Sequence, residues 1–298
     1  MSSCMTIENA IEFLQDSWHM DDVLLQLQIN RENFLNKLIM IIQERVPFHT
    51  LFAFMSPAWK VTDLTDVDNW CMSGVGGHCG VINTFTWRLL TALGFNAYLC
   101  LATVTKSTSI NPHFIVIVKD LTKTGDVHVV DCGLGQPSFR AVSLNFSKES
   151  QVYQDSFLEY KYIKQDGMFL RMHGKGDLMM HNNPPKCHDY YQGKWRRYYV
   201  FNLERLPCKS LDDIMRFIDV RGARMEIDVP RAASFSGNKA VMFFSKTLFI
   251  LQDDGTLKQK KMKSYEEILR IYEKHFPTIP KDTIHQAYSR WHKIQSKI

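Results

Sequence analysis

The sequence predicts an α+β fold in which helices come first and strands follow. Three observations predict it: apolar residues at helical spacing fill the first third, short β-rich runs take over from Asn96, and the two patterns mix beyond Tyr199. Ile7, Ala10, Ile11 and Leu14 form the first helical stripe. Phe34, Leu38, Ile41 and Ile42 form the second behind an Asn30 cap, and Pro47 ends it. A third helix is expected after Cys79, because Ile82, Phe85, Leu89, Leu90 and Leu93 make one apolar stripe and Gly94 stands where a C-cap belongs. Strands are expected at 98–104, 113–118, 127–132, 160–163 and 168–172, the last two around a Gln165-Asp166-Gly167 turn, and together they make a sheet or small barrel. The Asn-, Pro- and aromatic-rich stretch 181–193 reads as a loop between domains. After it come a strand at 199–203, a helix at 210–218, and a strand pair over 241–257 ending on Asp253-Asp254-Gly255. Ser264 and Glu267 then form a capping box for a helix to about His275, and a final helix starts near Lys281.

Composition narrows the function classes. The 298 residues are 45% apolar and 22% charged, an ordinary globular balance, with no apolar run of the length a membrane span needs. Residues 1–13 carry Glu8 and Glu12 and lack the basic and apolar regions of a secretory signal, so a cytoplasmic protein without membrane contact is expected. The seven cysteines are an odd number without disulfide spacing, which fits a reducing compartment. The net charge of +5 is spread along the chain and suits a small anionic ligand better than a nucleic-acid groove. Lys258, Lys260, Lys261 and Lys263 read as a solvated strand end. No metal is expected: His78, Cys79 and Cys71 lack a paired C-x-x-C arrangement, and His188 beside Cys187 has no mate at ligand spacing.

The chemistry-bearing constellation begins at Val75-Gly76-Gly77-His78-Cys79, which leads into the third helix. A thiol on the first turn of a helix meets unpaired N–H groups and the positive end of the helix dipole, both of which favour the thiolate. Gly76 and Gly77 let the chain turn sharply and a substrate come close. Taken alone, such a cysteine reads first as a buried structural thiol. His113 and Asp131 change that. His113 opens one strand and Asp131 closes the next, across a turn at 120–125. If Lys119 lies opposite Gly125, His113 pairs with Asp131 on the same face, an imidazole oriented by a carboxylate, as a cysteine nucleophile requires of its base. A slip of one residue would separate them. Cys79, His113 and Asp131 are therefore the expected catalytic residues.

These residues resemble the arylamine N-acetyltransferase family. Its nucleophile motif R-G-G-x-C-x-x-x-N is matched at Gly76, Gly77, Cys79 and Asn83; Val46-Pro47-Phe48 is similar to V-P-F-E-N, Leu93-Gly94-Phe95 to L/I-G-F, and Asp131-Cys132-Gly133-Leu134-Gly135 to D-x-G-F-G. Val75 stands for the motif arginine, His49-Thr50 for Glu-Asn, and Leu134 for the aromatic residue. The resemblance implies a helical bundle at 1–95 carrying the nucleophile, a β-barrel at 96–198 carrying the histidine and aspartate, and an α/β lid at 199–298, around a core like that of cysteine proteases and transglutaminases. It further implies acetyl transfer from acetyl-CoA through a cysteine thioester to an arylamine or hydrazine, with Gly133 and Gly135 lining the CoA entrance. Two other readings stay open on the residues alone: a transglutaminase-like or papain-like thiol hydrolase with the same Cys, His, Asp order, and a non-catalytic relative that binds a ligand or partner. The residues name neither the physiological amine nor the oligomeric state.

Overall fold

The computed structural model describes residues 5–55, 61, 63–105, 113–178, 190–206, 213–214, 229–236 and 239–296. Helices dominate the N-terminal part: α1 (Ile7–Glu12), α2 (Val23–Ile29), α3 (Arg31–Arg45), α4 (Leu64–Met72) and α5 (Cys79–Ala92). Asn30 caps α3 by accepting the Asn33 N–H at 2.9 Å, satisfying one of the donors a helix start leaves open. The sequence offered no apolar stripe for α4, whose start is set by polar groups instead: Asp63 and Asp66 form a reciprocal capping box. Nearly every residue of α5 is buried, including Arg88, which meets Asp68 of α4 at 2.7 Å. A helix enclosed on all sides is a core element, and it is this helix that starts at Cys79.

One face of α5 packs on a curled nine-stranded sheet with the order β5-β4-β3-β2-β10-β8-β7-β6 and β9 paired to β10. Its strands are β2 (Asn96–Val104), β3 (His113–Lys119), β4 (Val127–Val130), β5 (Val142–Ser143), β6 (Tyr153–Asp155), β7 (Leu158–Gln165), β8 (Met168–His173), β9 (Tyr191–Gln192) and β10 (Trp195–Arg205). Strand β3 is buried on both faces. Phe114, Val116 and Val118 join the helical core, while Ile115 and Ile117 join the sheet's inner core with Tyr162, Tyr199 and Phe201. The period of two thus puts His113 on the inner face.

The β3–β4 register differs from the expected one. Lys119 pairs with Val127, not with residue 125. The loop is two residues longer because Asp126 turns inward and accepts the N–H groups of Leu121 and Thr122 at 2.8 and 2.9 Å, while its own carbonyl takes the Asp120 N–H at 3.0 Å. A slip of two preserves side-chain direction where a slip of one would reverse it. His113 and Asp131 therefore share a face as diagonal rather than direct partners.

A second sheet, ordered β1-β11-β12-β13-β14, consists of β1 (Phe48–His49), β11 (Arg231–Ser236), β12 (Lys239–Phe244), β13 (Thr247–Leu251) and β14 (Leu257–Lys261). Helices α6 (Tyr265–His275) and α7 (Lys281–Gln295) pack on it through Tyr272, Tyr288 and Phe243. The expected strand pair over 241–257 is two strands of this sheet, and the Asp-Asp-Gly turn leads on to a third, β14, on which Lys258, Lys260 and Lys261 are exposed. Two expectations fall largely outside the described residues: the helix at 210–218, of which only 213–214 are described, and the 181–193 loop, whose end at Tyr191–Gln192 is the short strand β9. No helix among the described residues is long and apolar enough to cross a membrane.

Candidate active site

Three loops meet at the first turn of α5. The nucleophile loop is held to β1 by backbone bonds, Gly77 N–H to the Pro47 carbonyl at 3.3 Å and His49 N–H to the Gly77 carbonyl at 2.8 Å. Gly76 is obligatory at its place: with φ +75°, a Cβ there would lie 2.0 Å from the Pro47 oxygen. His78 is the N-cap of α5, its Nδ1 accepting the Gly80 N–H at 3.1 Å and its carbonyl accepting the N–H groups of Val81 and Ile82. Cys79 follows, 3% exposed, its side chain directed to helix-start donors and imidazoles and not to the apolar core.

His113, at the first residue of β3, places Nε2 2.7 Å from Asp131 Oδ2 and interacts with the Cys79 sulfur through its other side. Asp131 is 1% exposed, and its second oxygen accepts from Asn83 Nδ2 at 2.9 Å. Asn83 also donates to the Phe114 carbonyl at 2.6 Å and accepts the N–H groups of Cys132 and Gly133 at 3.0 and 3.1 Å. One side chain, one helical turn beyond Cys79, thereby locks β3 and the 131–133 loop to the nucleophile helix. Asn83 entered the sequence argument only as a motif match; the i, i+4 spacing from Cys79 was the signal of its place on the same helix face. Gln43 of α3 does a similar task, bonding the Cys132 carbonyl and the Ser138 N–H at 3.2 Å each, and nothing in its surrounding sequence marks it.

Gly133 stands where a Cβ would be 2.8 Å from Cys79 Cα and 2.9 Å from Asn83 Nδ2, and Gly135 stands against the Phe48 ring. Leu134 between them is buried in the inner core of the curled sheet. The two family departures at 49 and 75 meet behind the nucleophile loop. His49 is fully buried, tilted edge-on to Phe52 and interacting with the Val75 backbone, its Nε2 without a hydrogen-bond partner. Burial and the nearby His78 hold the His49 imidazole neutral, lowered to about 3.

The electrostatics single out one thiol. Burial pushes the Cys79 thiol up, but the charge and hydrogen bond of His113, aided by those of His78, override it and bring it down to about 5. Burial pulls His113 down, and the charges of Asp131 and Cys79 lift it to about 10. At neutral pH the two are a thiolate and an imidazolium. Cys71, Cys100 and Cys132 are equally buried without such a cation, and burial raises all three thiols, Cys100 to about 12. The arrangement supplies a nucleophilic sulfur, a proton donor beside it and a carboxylate fixing the imidazole. Among the described residues no group of three metal-ligating side chains is close enough to hold a metal ion.

A family model described as N-acetyltransferase matches residues 33–279. Against curated proteins the sequence gives no significant match. Among solved structures, the fold is similar to the arylamine N-acetyltransferase of Mycobacterium abscessus, with a TM-score of 0.73 at 15% identity, covering 98% of this chain and 99% of the other. It is likewise similar to the Mycobacterium marinum enzyme in complex with CoA, with a TM-score of 0.71 at 14% identity, covering 94% and 97%. The arylamine N-acetyltransferase from Salmonella typhimurium matches with a TM-score of 0.67 at 16% identity, covering 90% of each chain. At these identities the structural matches speak for the α+β fold, and the family model for descent: the chain belongs to the arylamine N-acetyltransferase family of acyltransferases.

Proposed function

We propose that the protein carries the acetyl group of acetyl-CoA on Cys79 and passes it to the nitrogen of an arylamine or hydrazine. In the first half-reaction the Cys79 thiolate attacks the thioester carbonyl, a new C–S bond forms, and the bond to the CoA sulfur breaks. The departing CoA thiolate takes the proton of the His113 imidazolium. In the second, the amine nitrogen attacks the acetyl-cysteine carbonyl, neutral His113 accepts the nitrogen's proton, and the Cys79 thiolate leaves with its original charge. Asp131 keeps the imidazole in one orientation through both steps. Splitting the transfer at sulfur replaces one difficult displacement by two thioester exchanges.

The observation that carries this reading is a buried thiol brought down to about 5 beside His113, in a chain of this family. The CoA complex of the Mycobacterium marinum enzyme supports acetyl-CoA as donor. In this reading the thioester reaches the sulfur past Gly133 and Gly135, residues 1–95 supply the nucleophile, 96–198 the histidine and aspartate, and 199–298 the lid. A free thiolate also suits the reducing cytoplasm.

Purified protein mixed with acetyl-CoA should release one equivalent of CoA in a burst and gain one acetyl group on Cys79. No burst, or a burst that survives Cys79→Ala, would overturn the acyl-carrier role. A panel of arylamines, hydrazines and aliphatic amines then identifies the acceptor, and water as the best acceptor would mark a hydrolase.

A further inference from the structure

We propose that His78 is a second imidazole partner of the nucleophile, so that the Cys79 sulfur is held between His78 on its own loop and His113 on β3. The inference rests on the reading of Cys79 as the acyl carrier and adds a residue to that site. Three observations carry it. The His78 ring is fixed: it is 1% exposed and its Nδ1 is committed to the Gly80 N–H at 3.1 Å. A neutral ring accepting at Nδ1 carries its proton on Nε2, and that N–H is buried without a hydrogen-bond partner. The ring interacts with the Cys79 sulfur both by hydrogen bonding and by charge.

The surroundings of the ring supply no other anion. Among the described residues no carboxylate is hydrogen-bonded to His78, and the titratable group packed behind it is His49, which is neutral. The family pattern has a glutamate at position 49; here a histidine takes the place, and the sulfur is the negative group left for His78 to face. Around Cys79 the charged and titratable neighbours are then His113 with Asp131 on one side and His78 with His49 on the other. A thiolate partnered from two sides loses less when His113 gives up its proton to the leaving group, because one imidazole stays in place while the other cycles.

The test is the rate of Cys79 alkylation by iodoacetamide as a function of pH, in the unsubstituted protein and in H78N, which retains an N-cap acceptor for α5. The midpoint should move about one pH unit upward in H78N, slowing alkylation about tenfold at pH values below the original midpoint, while the thermal unfolding midpoint stays within a few degrees. An unchanged alkylation midpoint in folded H78N overturns the proposal. Should H78N fail to fold, the His78 ring resonance of the unsubstituted protein is titrated before and after Cys79 is alkylated, and a titration indifferent to alkylation overturns it equally. Failure of the acyl-carrier reading is separate: it shows as an absent CoA burst in the unsubstituted protein.

Discussion

The curled sheet encloses two buried polar clusters, and they are built on opposite principles. Around Cys79, a thiolate faces an imidazolium, and Asn83 and Asp131 are bonded so that the charge on sulfur stays available. Around Arg171, fully buried in β8, every bond closes on the protein: Nε donates to His173, Nη1 to Ser138 and the Tyr162 hydroxyl, Nη2 to the Pro137 carbonyl, and the guanidinium lies 4.1 Å over the Tyr160 ring. The clusters touch through ring faces. Tyr162 and Tyr199 hydroxyls are 3.0 Å apart, and the Tyr199 ring centroid is 5.4 Å from that of His113. A closed network gives rigidity, and an open ion pair gives reactivity. The first is the wall against which the second is set.

That contrast can be broken from either side. The largest effect is expected from Asp131→Asn, which keeps the shape but no longer fixes the His113 proton: kcat/KM should fall about 10³- to 10⁴-fold, by analogy with the aspartate of serine-protease triads, with little change in unfolding temperature. Arg171→Met should do the reverse. It strands several buried acceptors and lowers stability by about 3 kcal/mol, measured by urea unfolding, while the pH midpoint of Cys79 alkylation in the folded protein stays put. A shifted midpoint would mean that Arg171 tunes the triad and that the two clusters are one.

A smaller effect concerns His49. Its imidazole falls from 6.5 when unfolded to about 3 when folded, so the fold favours the neutral form. The resulting stability is fully present above pH 6.5 and is lost as pH falls from there towards 3. In His49→Leu, urea midpoints should therefore decline less steeply over that window than in the unsubstituted protein; parallel curves would refute a buried neutral His49. The smallest effect, within about 0.5 kcal/mol and with no change in turnover, is expected for Lys258→Ala on the exposed face of β14.

Activity should follow the same ion pair. It rises as pH passes about 5, where Cys79 ionises, and falls as pH passes about 10, where the His113 imidazolium loses its proton. A kcat/KM profile whose acid limb lies near the ordinary thiol value would contradict the pair.

Much of this was legible before the coordinates, and the reasons are physical. Helices α3 and α5 announce themselves because an apolar stripe at period 3.6 coincides with a cap residue, Asn30 in one and His78 after two glycines in the other. Strands β2 and β3 show as apolar runs because both their faces are covered. Helix α4 was hidden because its signal is a pair of aspartates, and β1 because two residues carry no period at all. The triad was legible through parity: the loop at 120–126 was misjudged by two residues, yet alternation made the error harmless. Asn83 and Gln43 are harder. Their work is done by hydrogen bonds to residues 49 and 89 to 95 positions away along the chain, and no local pattern encodes such distance.

Strand β1 pairs with β11, His49 with Ala232, while its other edge supports Gly77 of the nucleophile loop. Nearly the whole chain must therefore leave the ribosome before the segment behind Cys79 acquires its second neighbour. A nascent or C-terminally shortened polypeptide contains every member of the triad but lacks the strand that braces it, so the reactive sulfur matures last, once the protein is complete enough to shelter it.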